Sequence, residues 1–123
     1  MLYTASFYEP AHWIGTRYRI SRGHPRGKVT DWELQPCLYP SRPLLTEYRN
    51  GAINFRELDL RYREELEGTY GSEGSFRAWV EALAASGDVT LLCFEPAGEP
   101  CHRRLAAAWL LEQAPGIELG LMR

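Results

Sequence analysis

The sequence predicts an α/β domain: a single compact three-layer unit with a mainly parallel, Rossmann-like sheet flanked by helices. Three observations predict it. Strand patterns lie at both ends of the chain with helical patterns between them. The run Val89 to Phe94 is almost continuously apolar and of strand length, which suits a central strand covered on both faces. The stretch from Val89 to Leu121 reads strand, loop, helix, strand, and is long enough for a right-handed crossover. The chain has 123 residues, which fits one domain spanning 1–123. Its hydrophobic content of 45% argues against disorder.

Each element has a local signal. Leu2 to Tyr8 is rich in β-branched and aromatic residues and predicts the first strand. Tyr18 to Ser21 alternates polar and apolar and predicts the second. Arg22 to Gly27 holds two glycines and a proline and reads as loop. Pro36 to Pro43 carries three prolines and reads as irregular. Pro43 suits a first helical turn, and Leu44, Leu45 and Tyr48 share a face before Gly51 stops the helix. Asn54 with Glu57 three residues on forms a capping-box pattern. Phe55, Leu58, Tyr62 and Leu66 follow at helical spacing, and Gly68 predicts the end. A third helix is expected from about Ser75 to Ser86, with Phe76, Trp79, Val80 and Leu83 on its apolar face and Gly87 at its C-terminal stop. A last helix opens at Pro100 and runs to about Gln113, burying Leu105, Ala108 and Trp109, and Gly116 to Leu121 predicts a short final strand.

Composition narrows the setting. Three cysteines, Cys37, Cys93 and Cys101, are too few and odd in number for a secreted disulfide framework. Met1 to Thr4 lacks the charged flank and apolar run of a signal peptide. The apolar runs fall far short of the roughly 18 residues a membrane span needs. A cytoplasmic location with reduced thiols and no membrane partner is expected. The net charge of −2 conceals a basic segment: Arg17, Arg19, Arg22, Arg26 and Lys28 lie between Pro10 and Thr30 without an acidic residue. Thirteen of the 14 basic residues are arginine, so the preference is chain-wide. No pattern specifies an oligomeric state.

The most chemically loaded stretch is Cys93-Phe94-Glu95 followed by Cys101-His102-Arg103. Open α/β sheets bind ligands beyond the carboxyl ends of their strands. Cys93 and Glu95 fall where the apolar strand runs out. Cys101, His102 and Arg103 fall in the first turn of the next helix, where unpaired N–H groups and the helix dipole favour a thiolate. Cys101 is therefore the nucleophile candidate, and Glu95 or His102 the proton carrier. Plain core packing competes for both cysteines, because free cysteine is among the most buried residue types. A loop carbonyl competes for His102. Seven residues separate Cys93 from Cys101, unlike the close pairs of structural zinc sites, so no metal and no cofactor is expected.

Thr90-Leu-Leu-Cys-Phe-Glu95, then Cys101-His-Arg103 and a leucine- and alanine-rich helix, resembles the signature of the domain-of-unknown-function 488 family. Ser21-Arg-Gly-His-Pro-Arg-Gly27 resembles that family's arginine-and-proline segment, and the helix of Phe55, Tyr62 and Leu66 its middle region. The likeness runs from about Tyr18 to Gln113. It implies a small α/β domain with a site built from Arg22, Arg26, Cys93, Glu95, Cys101, His102 and Arg103. It implies no particular reaction.

Arg22 and Arg26 flank a Gly-His-Pro turn and present two forked donors suited to phosphate or carboxylate. With Arg103 and a helix N-terminus they would make an anion site. A solvated basic loop, or pairing with Asp31, Glu33 or Glu95, is the competing reading. Three functions follow. The first is an enzyme acting on a phosphate-bearing or nucleotide-like small molecule, with Cys101 as nucleophile. The second is a non-enzymatic nucleotide or nucleic-acid binding module, with Tyr8, Trp13, Tyr18 and Trp32 as stacking surfaces. The third is a thiol sensor in which Cys93 and Cys101 oxidise to each other. The first is preferred, because thiol, imidazole, carboxylate and guanidinium are expected at one sheet edge. A sequence pI of about 5.9 weighs against nucleic acid.

Overall fold

The computed structural model describes residues 1–23, 32–95, 101–114 and 116–123. Five strands form one parallel sheet: β1 (Leu2–Ser6), β2 (Thr16–Arg19), β3 (Glu33–Leu34), β4 (Val89–Cys93) and β5 (Leu119–Met122). Their spatial order is β3-β2-β4-β1-β5. The apolar strand is thus the central one, and every residue of β4 is buried. Its register with β1 runs from Leu2 opposite Val89 to Ser6 opposite Cys93. Alternation then puts Leu2, Val89, Leu91 and Cys93 on one face, and Ala5 and Leu92 on the other.

Four helices follow the sequence signals closely: α1 (Arg42–Arg49), α2 (Phe55–Ser72), α3 (Gly74–Ala82) and α4 (His102–Gln113). Ser41 caps α1, its hydroxyl accepting the Leu44 amide at 3.3 Å. Asn54 and Glu57 form the expected capping box at the start of α2. Gly87 takes the left-handed conformation, φ +73°, after α3 and a 3-10 turn over Leu83–Ala85. Gly15 is needed for a different reason. It has φ +68°, and a Cβ there would sit 2.0 Å from the Asp88 carbonyl oxygen.

The arrangement is a three-layer α/β domain, and handedness explains the layers. From β3 to β4, and from β4 to β5, the chain moves the same way across the sheet. Right-handed crossovers therefore lay all four helices on one face. Leu44, Leu58, Tyr62, Val80 and Trp109 accordingly join Leu2, Val89 and Leu91 in one core. From β1 to β2, and from β2 to β3, the chain moves the other way. The described residues of those connections include a 3-10 turn over Pro10–His12 and a small aromatic cluster on the opposite face. There Phe7 lies 4.9 Å from Trp32, and Trp13 5.9 Å from Trp32, between ring centres.

Some boundaries differ from expectation. The first strand ends at Ser6 rather than Tyr8. The last helix begins at His102 rather than Pro100, with Cys101 as its N-cap residue. The proline-rich stretch contains a 3-10 turn over Pro36–Leu38, and the two-residue β3 precedes it. Gly68 does not stop α2, because a tertiary contact carries the helix on: Tyr70 packs edge-on against Trp109 at 5.6 Å. Trp109 is fully buried as expected, whereas Trp79 is half-buried against Tyr18. Among the described residues, no helix is long and apolar enough to cross a membrane.

Candidate active site

At the junction of β2 and β4 the connections leave toward opposite faces of the sheet. That is where doubly wound sheets open a crevice beyond their carboxyl ends. A cavity of about 550 Å³ lies here. Ser21 to Gly23, which follow β2, form one wall, and α1 forms another. Cys93, Glu95, Cys101 and His102 form the floor. The two strand ends lean on each other. Gly23 comes so close to the Phe94 ring that a Cβ would stand 3.2 Å from it. Ser6 at the end of β1 donates its hydroxyl to the Phe94 carbonyl at 3.1 Å.

The floor is a dense, largely buried polar cluster. Cys93 and Cys101 are each 2% exposed and His102 is 7% exposed. The Cys93 thiol donates to the Glu95 carboxylate at 3.2 Å. His102 Nδ1 stands 3.6 Å from the Cys93 sulfur and 3.9 Å from the Cys101 sulfur. Its other nitrogen, Nε2, lies 2.7 Å from the Ile20 carbonyl oxygen. A carbonyl only accepts, so Nε2 carries a hydrogen and Nδ1 is the nitrogen left for the sulfurs, although the Cys93 sulfur, 3.9 Å from Nε2 as well, lies over the ring face. Tyr62 meets the ring edge-on at 5.8 Å and donates its hydroxyl to the Leu38 carbonyl at 2.5 Å. Burial pushes the Tyr62 hydroxyl well above its usual pKa, so it stays neutral beside the cluster.

Proton affinities diverge within this small volume. Burial alone would raise the Cys101 thiol, but hydrogen bonds from Cys93 and His102, the His102 charge and the Arg103 amide outweigh it and bring the pKa down to about 3. Cys93 goes the other way, raised by burial and by the neighbouring Cys101. His102 loses basicity through burial, yet the Cys101 thiolate more than restores it and leaves it raised. Glu95 is raised by burial and by Cys101. The arrangement is a thiolate–imidazolium pair with one protonated thiol and one easily protonated carboxylate beside it. Such a set holds a nucleophile and a proton donor a few ångströms apart.

Arginines border the cavity. Arg22 is exposed at the mouth, its Nε donating to the Pro40 carbonyl at 2.7 Å. Arg42 and Arg49, two helical turns apart on α1, line the same cavity, as does Tyr48. Neither arginine falls within the motifs that mark the site in the sequence. A signal existed in their spacing of seven, which puts both on one helix face. Arg103 lies elsewhere. It is fully buried, donates through Nε and Nη2 to the main-chain oxygen of Arg123 at 3.1 and 2.6 Å, and approaches Glu95 at 4.0 Å. It stands behind the floor and does not line the cavity. Arg26, the other expected anion ligand, lies outside the described residues. Cys37 is a half-buried thiol apart from the cluster.

A family model, DUF488-N3a, described as the active DUF488-N3 subclade, matches residues 2–114. No curated protein and no solved structure matches the chain significantly.

Proposed function

We propose, for a chain that belongs to the DUF488 family and falls in its DUF488-N3a subclade, an enzyme that acts on a phosphate-bearing or nucleotide-like small molecule through a covalent bond to Cys101. One observation carries this reading: Cys101 and His102 lie together on the floor of a cavity bordered by Arg22, Arg42 and Arg49. The subclade's description as active supports a reading in which these residues are used. A cytoplasmic setting, where thiols stay reduced, would keep Cys101 available as a nucleophile.

The chemistry follows from the positions. The arginines hold the anionic group and set the substrate's depth. The Cys101 sulfur attacks the electrophilic atom, and a sulfur–substrate bond forms as the bond to the leaving group breaks. The leaving group takes the proton from His102 Nδ1. Water then attacks the covalent intermediate and gives its proton back to Nδ1, and Cys101 departs as thiolate. The net change is hydrolysis, with no redox step. The Ile20 carbonyl keeps the ring oriented throughout.

A small ligand suits the surroundings better than a nucleic acid. Of the four aromatic residues that could stack on bases, Trp13 and Trp32 pack together on the far face of the sheet and Tyr18 packs on Trp79, which leaves Tyr8 as a single exposed platform. Turnover of a panel of phosphate monoesters and nucleotides by the chelator-treated wild type and by Cys101→Ser tests the reading. The wild type should turn over at least one compound, and the variant should lose that activity by about a hundredfold or more. Equal turnover by Cys101→Ser sinks the covalent mechanism. Binding that needs the arginines but not Cys101, without turnover, would mark a binding module instead.

A further inference from the structure

The floor has a second property that covalent catalysis does not require. The two sulfurs and a His102 ring nitrogen all lie within 4.8 Å of one another, close enough for a single ion to draw all three to bonding distance. We infer that Cys93, Cys101 and His102 form a zinc site, with a fourth coordination position that opens on the cavity. The inference goes beyond the enzymatic reading and does not depend on it.

The distances fit. Zinc bound at about 2.3 Å to sulfur and about 2.0 Å to nitrogen in a tetrahedron sets sulfur–nitrogen edges near 3.5–3.6 Å. The two observed separations from Nδ1, 3.6 and 3.9 Å, lie close to those edges, and rotation of the Cys93 side chain would close the site. The imidazole is already oriented as a ligand. Its Nε2–H is committed to the Ile20 carbonyl, the outer partner that metal-binding histidines usually have, which leaves the Nδ1 lone pair for a metal; the Cys93 sulfur, 3.6 Å from Nδ1 and 3.9 Å from Nε2, lies over the ring face and would swing toward the ring plane to share that metal. Two sulfurs and one imidazole select a borderline-soft ion such as zinc over magnesium or calcium. The sequence spacing that argued against a metal applies to ligand pairs held on one tight turn. Here a strand end and a helix start supply the ligands, so the fold sets their separation.

Three protein ligands leave one position for water or for an anionic group of a ligand, the arrangement of catalytic rather than structural zinc. Glu95, 3.2 Å from the Cys93 sulfur with its side chain 44% exposed, stands beside that position. Each sulfur binds as thiolate, and any proton it carries is released on binding. A sulfur engaged with zinc cannot also attack a substrate. The zinc-loaded chain therefore has Cys101 as a ligand and the metal-free chain has it as a nucleophile.

Cobalt titration of the reduced, chelator-stripped full chain tests this. The expected result is saturation at about one ion per chain, with the visible bands of tetrahedral cobalt and thiolate-to-cobalt charge transfer in the near ultraviolet. Zinc should displace the cobalt and slow iodoacetamide alkylation of Cys101 at least tenfold. Cys93→Ser and Cys101→Ser should each lose the tetrahedral spectrum, and Cys37→Ser should keep it. A folded wild type without that spectrum overturns the inference, whether or not the variants fold. So does an unchanged alkylation rate in saturating zinc. Rapid alkylation of Cys101 without a cobalt spectrum would leave the nucleophile reading standing and remove the metal. A cobalt spectrum in a chain that turns nothing over would do the reverse.

Discussion

The floor and the rim of the cavity are built on opposite plans. On the floor, main-chain groups and neighbouring side chains fix each functional atom: the Ile20 carbonyl holds His102, and Glu95 accepts from Cys93. The cost of burying these polar groups is offset by their mutual hydrogen bonds. On the rim, Arg22, Arg42 and Arg49 are exposed to water and reach the cavity on flexible stems. Preorganisation is spent where bonds change, and adaptable charge where a ligand is caught. A floor residue should therefore govern chemistry, and a rim residue affinity.

The pH response of the floor is the strongest way to break that contrast. An ordinary thiol, with a pKa near ~8.5, loses reactivity about a hundredfold between pH 8 and pH 6. Cys101, brought down to about 3, is a thiolate at both pH values and is protonated only as pH falls through that region. In chelator-treated protein its iodoacetamide rate should change by less than about threefold over that interval, while Cys93, raised by burial, stays unlabelled. Peptide mapping of the labelled chain reads both. A hundredfold fall at Cys101 would make the floor ordinary.

The rim should respond more weakly and differently. Replacing Arg42 and Arg49 together by alanine should weaken protection of Cys101 by inorganic phosphate about tenfold, close to 1.4 kcal/mol. Added salt should erode the wild-type protection in the same way. The unfolding free energy should stay within about 0.5 kcal/mol of wild type, as for exposed positions generally. A large stability loss with unchanged protection would show that these arginines brace the fold instead.

The smallest effect belongs to neither region. A Cβ at Gly68 in α2 meets nothing within 4 Å. Gly68→Ala should raise stability in urea by roughly 0.5–1 kcal/mol through helix propensity alone, and leave alkylation of Cys101 untouched.

The same contrast governs how much could be read from the chain beforehand. The fold was largely legible, because caps, apolar spacing and one continuous strand are local signals, and the parallel sheet follows from them. Gly68 misled because a tertiary contact by Tyr70 outweighs a single propensity. The floor was legible because its residues come from two short segments around one strand–helix junction. Of the rim only Arg22 was legible; the spacing of Arg42 and Arg49 puts them on one helix face, but they reach the cavity only through the docking of α1, which no local pattern encodes. Arg103 illustrates the geometric limit. It follows His102 directly, and one residue along a helix turns a side chain by about 100°. His102 therefore meets the cavity while Arg103 is directed to Arg123.

The hydrogen bond between His102 and Ile20 makes the imidazole a built-in reporter. Because Nε2 keeps its hydrogen on a carbonyl, only the second ring nitrogen changes state, and it lies within 3.9 Å of both sulfurs. In nitrogen-15 NMR a chain labelled at histidine should hold one His102 resonance nearly constant. The other should move among three positions, for a proton, a bare lone pair and a bound metal. A single nucleus would then tell which occupant the two sulfurs hold at any moment.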